Sequence, residues 1–212
     1  MTTMHRLILD PTNVTVQQHL ARPHRIYGAL MMATDGAGHA VGGDSRVLYR
    51  IERSEDEKEP VQILIQSNGP IPKPRTFSQY GAYKLDSKSM LPVIQFIEDG
   101  NIVKFSVRLN PVARRSRRIG ARERMEYRII TKSEEVVTWA TRLLENHGFE
   151  ILECESTNEN TITGKDAKSS VNVVRVEGIA KVIDQAKAKM AIATGIGRAK
   201  ISGCGMILLG KA

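Results

Sequence analysis

Hydrophobic and polar residues alternate along this chain with two periods, and the change of period marks the elements. Residues 5–10 (HRLILD) form a short apolar run closed by Pro11, which predicts a first strand. Residues 12–21 are polar with apolar points at Val14, Val16 and Leu20, a pattern of one or two helical turns. Pro23 suits the first position of a further helix, where its missing N–H costs nothing, and Ile26, Tyr27, Leu30 and Met31 then share one face. Gly36, Gly38, Gly42 and Gly43 predict an irregular connection. Residues 46–53 (RVLYRIER) and 61–67 (VQILIQS) read as strands around an acidic loop, and Pro70, Pro72 and Pro74 exclude regular structure just beyond. Residues 101–109 (NIVKFSVRL) are the next strand, stopped by Asn110-Pro111.

Beyond an arginine-rich stretch, residues 133–146 have a strong helical pattern. Ser133 is the expected N-cap, Glu134 and Glu135 suit the positive end of the dipole, and Gly148 is the expected stop. Val136, Val137, Ala140, Leu143 and Leu144 supply its apolar stripe. Strands are expected at 149–154, 160–164 and 171–179, a helix at 184–193, and a last strand at 206–209. This order fits a split βαβ, ferredoxin-like unit if Met125–Ile130 is its first strand. The first half reads the same way apart from its second helix. The expected fold is α+β, with tandem ferredoxin-like (RRM-like, βαββαβ) domains. The expected boundaries are 1–110 for the first domain, 111–124 for an arginine-rich connection and 125–212 for the second.

Composition narrows the functional classes. The 212 residues are 41% hydrophobic and 25% charged, enough for a buried core. There is no apolar run of the roughly 18 residues a membrane helix needs, and the first ten residues read as structure and not as a secretory signal. Cys154 and Cys204 lack CxxC spacing and imply neither a zinc site nor a disulfide framework, so a cytoplasmic location is expected. The net charge is +8, which favours a polyanionic partner. That charge is concentrated. Residues 108–128 hold eight arginines against Glu123 and Glu126, and residues 181–211 hold six bases against Asp184. No Asp/Glu/His set has metal-ligand spacing, so no metal or other cofactor is expected.

The sharpest local motif is Thr194–Gly205, TGIGRAKISGCG. Glycines admit close backbone approach to a phosphate, and Arg198 and Lys200 add charge. The loop follows a helix and precedes a strand, the reverse of a dinucleotide fingerprint, and it lacks the Walker pattern. A helix stop followed by a bulged strand is the alternative reading.

Gly195, Gly197, Lys200, Gly203 and Gly205, followed by the apolar Met206–Leu209, resemble the signature loop of the CasE family of CRISPR-associated RNA-processing proteins. The opening LILDP, the strand FSVRLNP ending at Pro111, and Glu134, Val137, Trp139 and Leu143 are similar to that family in the same order. The resemblance implies two ferredoxin-like domains with an RNA-binding cleft. It implies metal-free cleavage of a CRISPR repeat transcript at the base of a stem-loop, through attack by the 2′-hydroxyl. The products would be a cyclic phosphate and a 5′-hydroxyl. Retention as a subunit of the Cascade complex, with its other subunits and the repeat RNA as partners, is implied as well.

Family members place Tyr-x-x-His at the start of the first long helix. Here the window is Arg22–Tyr27 (RPHRIY), with the two types exchanged as His24 and Tyr27. Residues three apart share a helical face, so either order presents both groups to one phosphate. These are the expected catalytic residues, and His19 and His5 are the substitutes. The plain alternative makes His24 a first-turn polar residue and Tyr27 a core residue. Expected RNA ligands are Arg25, Arg108, Arg114, Arg115, Arg117, Arg118 and Arg122, with Gly195, Gly197, Arg198, Lys200, Gly203 and Gly205 of the loop. Arginine suits the task because its planar fork pairs with phosphate in a bidentate way. A solvated charge run is the competing reading of the arginine stretch. With 5% aromatic residues there is little platform for single strands, and a duplex held by phosphate contacts fits better. A non-catalytic repeat-RNA-binding subunit is the alternative function, and an unrelated basic scaffold protein a third.

Overall fold

The computed structural model describes residues 2–33, 47–54, 56, 59–68, 82–119, 122–159 and 171–212. The glycine connection at 36–43, the prolines at 70–74 and the strand expected at 160–164 lie outside this set.

The first unit starts with β1 (Thr2–Leu9), where His5, Leu7 and Leu9 are buried and Arg6 between them is exposed. Helix α1 (Val14–Leu20) begins because the Asn13 side chain accepts from the Thr15 and Val16 amides. Helix α2 (Pro23–Ala33) opens on its proline and buries Ile26, Leu30 and Met31. Strands β2 (Leu48–Glu52), β3 (Val61–Asn68) and β4 (Ala82–Ser89) complete a sheet of order β2-β3-β1-β4, antiparallel throughout. Its core combines Leu7, Leu9 and Ile63 with Val16, Ile26 and Leu30 of the two helices. β4 escapes the sequence pattern because Lys84, Ser87, Lys88 and Ser89 are exposed on a sheet edge. The short helix α3 (Leu91–Phe96), also unread in the sequence, follows it.

The second sheet corrects one expectation. Its first strand is β5 (Ile102–Leu109), not Met125–Ile130. Val103, Phe105, Val107 and Leu109 alternate and are all buried, giving β5 the apolar face that a sheet over helices requires. In the strand expected to play this part, Tyr127 and Ile129 are exposed. That strand is β7 (Arg122–Ile129), which pairs only with β6 (Val112–Ile119) in a separate two-stranded ribbon. The arginine stretch is therefore a hairpin inserted into the second unit, not a connection between halves. Helix α4 (Ser133–Glu145), strands β8 (Phe149–Asn158) and β9 (Val174–Val182), helix α5 (Gln185–Thr194) and strand β10 (Ile207–Lys211) follow. The order β10-β5-β9-β8 repeats that of the first sheet, and tandem ferredoxin-like units are the observed architecture. Lys132 and not Ser133 occupies the N-cap of α4, and the Ser133 hydroxyl instead meets that of Ser156 at 2.8 Å.

The units are joined by ions between the sheet faces that point away from the helices. Arg175 bonds Glu159 through Nε at 2.8 Å and reaches Glu52 of the first sheet at 3.1 Å. Arg108 pairs with Glu159 and donates to the Ile51 carbonyl, and Arg50, 2% exposed, pairs with Glu52. Such a network adds little net stability, but removing one member leaves a partner uncompensated. Burial alone would raise the Glu159 carboxyl, yet hydrogen bonds and charge from Arg108 and Arg175 hold it below the ordinary glutamate range. A depressed carboxyl contributes stability that is present above its unfolded pKa, near 4.3, and lost as pH falls through the folded value. Glu159→Gln is expected to cost about 1–3 kcal/mol at neutral pH in urea unfolding and to flatten the loss of stability on acidification. Equal acid sensitivity in both proteins would remove Glu159 from the linkage.

Candidate nucleic-acid interface

Helix α2 carries His24 and Tyr27, both half-buried, with Arg25 exposed between them. The Tyr27 ring lies 6.4 Å from that of Tyr49, centroid to centroid. Tyr49 sits on the edge strand β2 and is wholly buried. Its hydroxyl donates to the Ile201 carbonyl at 2.9 Å, in the second unit. Burial pushes the phenol far above its ordinary pKa, so it remains a donor.

Ile201 lies in a 3-10 turn (Lys200–Ser202) within the glycine motif, and this turn rests against α2. The motif is both a helix stop and more than one. The Gly195 amide closes α5 on Ala191, the Ile196 amide donates to Gly205 at 2.8 Å, and the Gly205 amide donates to Arg108 at 2.8 Å. The loop thus folds back on itself and hangs from β5. Two glycines show why no other residue fits. Gly203 has φ +82 and a Cβ there would stand 3.2 Å from the Tyr49 ring; Gly205 has φ +89 and its Cβ would meet the Ile196 carbonyl oxygen at 2.6 Å. A second bond between units runs from the Gln66 side chain to the Ile192 carbonyl at 2.6 Å. Cys204 beneath the loop is buried, and its thiol is pushed up to about 12, so it is no nucleophile at neutral pH.

The exposed end of the loop meets the hairpin. The Arg198 guanidinium lies 4.3 Å from the centroid of Tyr127 on β7, and Arg114 is the register partner of Tyr127 on β6. Residues from α2, the loop and the hairpin therefore form one basic track: His24, Arg25 and Tyr27, then Lys200 and Arg198, then Arg114. Arg115, Arg117, Arg118 and Arg122 belong to the hairpin backbone, where Arg117 faces Arg124 in register; their side chains lie outside the described set. Opposed arginine positions are unfavourable in a bare ribbon and favourable once an anion lies between.

Arg108 does not join this track. It is held by Glu159 and the Ile51 carbonyl at the seam, so the expectation of a phosphate ligand there gives way to that of a brace. His5 is also removed as a substitute, since it is 2% exposed and clamped by Ser67 at 3.0 Å and Ser87 at 2.7 Å. His19 donates to the Thr15 carbonyl at 2.7 Å and lines an apolar cavity with Leu7, Val16 and Ile26. His147 likewise donates to Leu143 at a helix end, and His39 lies outside the described residues. Sequence reasoning missed Tyr49 and Tyr127. Tyr49 reads as ordinary strand core, with nothing to mark its hydroxyl, whereas Tyr127 stands as a lone aromatic in a polar, arginine-rich strand, a signal that was available.

Two ferredoxin-like units with a glycine-rich loop seated across their seam define a class of protein. The chain belongs to the CRISPR-associated protein family: the family's sequence model, described as CRISPR associated protein, matches residues 4–211. It is similar to the CRISPR-associated endoribonuclease Cse3 of Thermus thermophilus, 27% identical over 216 residues, covering 95% of this chain and 96% of that one. Among solved structures, Thermus thermophilus Cse3 bound to an RNA representing a pre-cleavage complex has a TM-score of 0.79 at 22% identity, over 99% of this chain and 98% of that chain. The CRISPR-associated protein Cas6e from Escherichia coli str. K-12 has a TM-score of 0.67 at 17% identity, over 100% of both chains. The fold and the CasE resemblance expected from the sequence are thus both found. Among the described residues no helix is long and apolar enough to cross a membrane.

The Tyr49–Ile201 bond makes a prediction. Tyr49→Phe leaves the Ile201 carbonyl without this partner and is expected to cost about 1 kcal/mol. Gly203→Val meets the Tyr49 ring as well as a strained φ and is expected to cost more, with faster proteolysis in the loop. Unchanged unfolding midpoints in both variants would show that the loop is not fastened here.

Proposed function

We propose that this chain is an endoribonuclease that cuts a CRISPR repeat transcript at the base of a stem-loop and keeps the product as a subunit of a Cascade complex. The observation that carries this reading is the meeting of α2, bearing His24 and Tyr27, with the glycine loop of the other unit. Family membership and the similarity to Cse3, named an endoribonuclease, support it. So does the basic hairpin beside the loop, whose excess charge suits the phosphates of a duplex.

The chemistry follows from the residues on the track. The 2′-hydroxyl next to the scissile phosphate gives up its proton as its oxygen attacks phosphorus. The P–O5′ bond breaks, and the departing oxygen gains a proton. The products are a 2′,3′-cyclic phosphate and a 5′-hydroxyl. In this reading the imidazole of His24 accepts the first proton, and the Tyr27 hydroxyl, one turn on, orients the phosphate or assists the departing oxygen. Arg25 and Lys200 stabilise the charge that develops on the non-bridging oxygens. No step uses a metal ion.

Two predictions follow from these roles. In single-turnover cleavage of the cognate repeat, His24→Ala should abolish cut product with stem-loop affinity retained, and Tyr27→Phe should slow the cut within the roughly hundred- to ten-thousand-fold span of general acid–base catalysis. Wild-type cleavage should persist in EDTA. Equal rates for wild type and His24→Ala would place the chemistry elsewhere, and a wild type that binds without cutting would leave a binding subunit only. Separately, replacing Arg114, Arg115, Arg117 and Arg118 by Ala should weaken binding and lower its salt slope by about one unit for each lost phosphate contact. An unchanged slope would take the hairpin off the RNA.

A further inference from the structure

Tyr127 is the one strongly exposed aromatic among the residues whose side chains are described, 56% exposed on a strand otherwise rich in charge. The other described aromatics are at least half covered, and Phe105, Phe149 and Tyr49 are core residues. Its ring is not left bare, because Arg198 of the glycine loop lies over it at 4.3 Å. An exposed cation–π pair is worth only about 0.5–1 kcal/mol, so stability does not call for one at this position. Arg6, Arg128 and Arg175 all pair with described carboxylates, whereas Arg198 pairs with none of them. The stack therefore holds a guanidinium plane in place with its donors uncommitted to any carboxylate among the described residues. It also stands where the loop meets the hairpin, between the groups assigned to cleavage and those assigned to the duplex.

We propose that Tyr127 and Arg198 form a platform for one unpaired nucleobase of the RNA, at the point where the strand leaves the stem. Bases that have left a helix stack on aromatic rings and on arginine planes, and an arginine so placed also reaches base edges or the adjacent phosphate. A duplex end alone offers no splayed base, so the platform reads the nucleotide flanking the stem and sets the strand's path toward α2. This rests on the proposed RNA-processing function and adds a specificity element to it.

The test is a double-mutant cycle between protein and RNA. Affinities would be measured by fluorescence anisotropy for the repeat stem-loop and for a series with a single abasic site at each flanking unpaired position. One abasic position should cost the wild type about ten-fold, the scale of a lost base–aromatic stack. Tyr127→Leu and Arg198→Gln should lose a similar factor on intact RNA and lose nothing further at that abasic position. A 2-aminopurine at the same position should change its fluorescence on binding to wild type but not to Tyr127→Leu. Losses that simply add at every position, or a wild type indifferent to all abasic sites, would overturn the platform and leave the pair a brace for the hairpin. A wild type with no preference for the stem-loop over a scrambled strand would instead refute the underlying function, and the platform with it.

Discussion

One hydrogen bond between units organises the surface described above: the buried Tyr49 hydroxyl on the Ile201 carbonyl. Tyr49 belongs to the first sheet and Ile201 to a loop of the second unit, so the bond sets where the loop meets α2. The loop can accept this contact only because Gly203 leaves room for the ring. It can return to β10 only because Gly205 leaves room for the Ile196 carbonyl. The glycines are needed first for the loop's own closure, and any closeness to phosphate is a consequence of that closure. A loop shaped this way keeps its geometry without RNA, which lowers the ordering cost of binding.

The arginines divide into two populations with different physics. Arg50, Arg108 and Arg175 lie at the seam, desolvated and answered by Glu52 and Glu159. They hold the units together, their guanidinium groups engaged by these carboxylates. Arg25, Arg114 and Arg198 stand in solvent along the outer track, with no carboxylate paired to them among the described residues. Their mutual repulsion is tolerable in salt and is relieved by a polyanion.

Much of this was legible in the sequence, for reasons that can be named. Periodic apolar stripes announced α2 and α4, the alanine- and lysine-rich composition announced α5, and Pro23 marked a helix start correctly. The tandem architecture was read even though the first strand of the second unit was misassigned. The error arose because β5 precedes the hairpin in sequence, and sequence adjacency favoured Met125–Ile130; the buried alternation of Val103 to Leu109 was the better guide. Arg108 illustrates the limit of composition. It sits in the same arginine-rich window as Arg114, yet strand alternation turns it into the seam toward Glu159 and the Ile51 carbonyl, which are distant in sequence. The partnership of Tyr49 with Ile201 spans 152 residues and leaves no local trace.

The central claim is that the reacting phosphate lies at the seam, touched from both units. Site-directed photocrosslinking tests it directly, using a repeat stem-loop with one photoreactive group at the scissile position. Adducts should map to α2 within residues 23–27 and also to the loop within 195–205. Adducts confined to one unit would contradict a composite site.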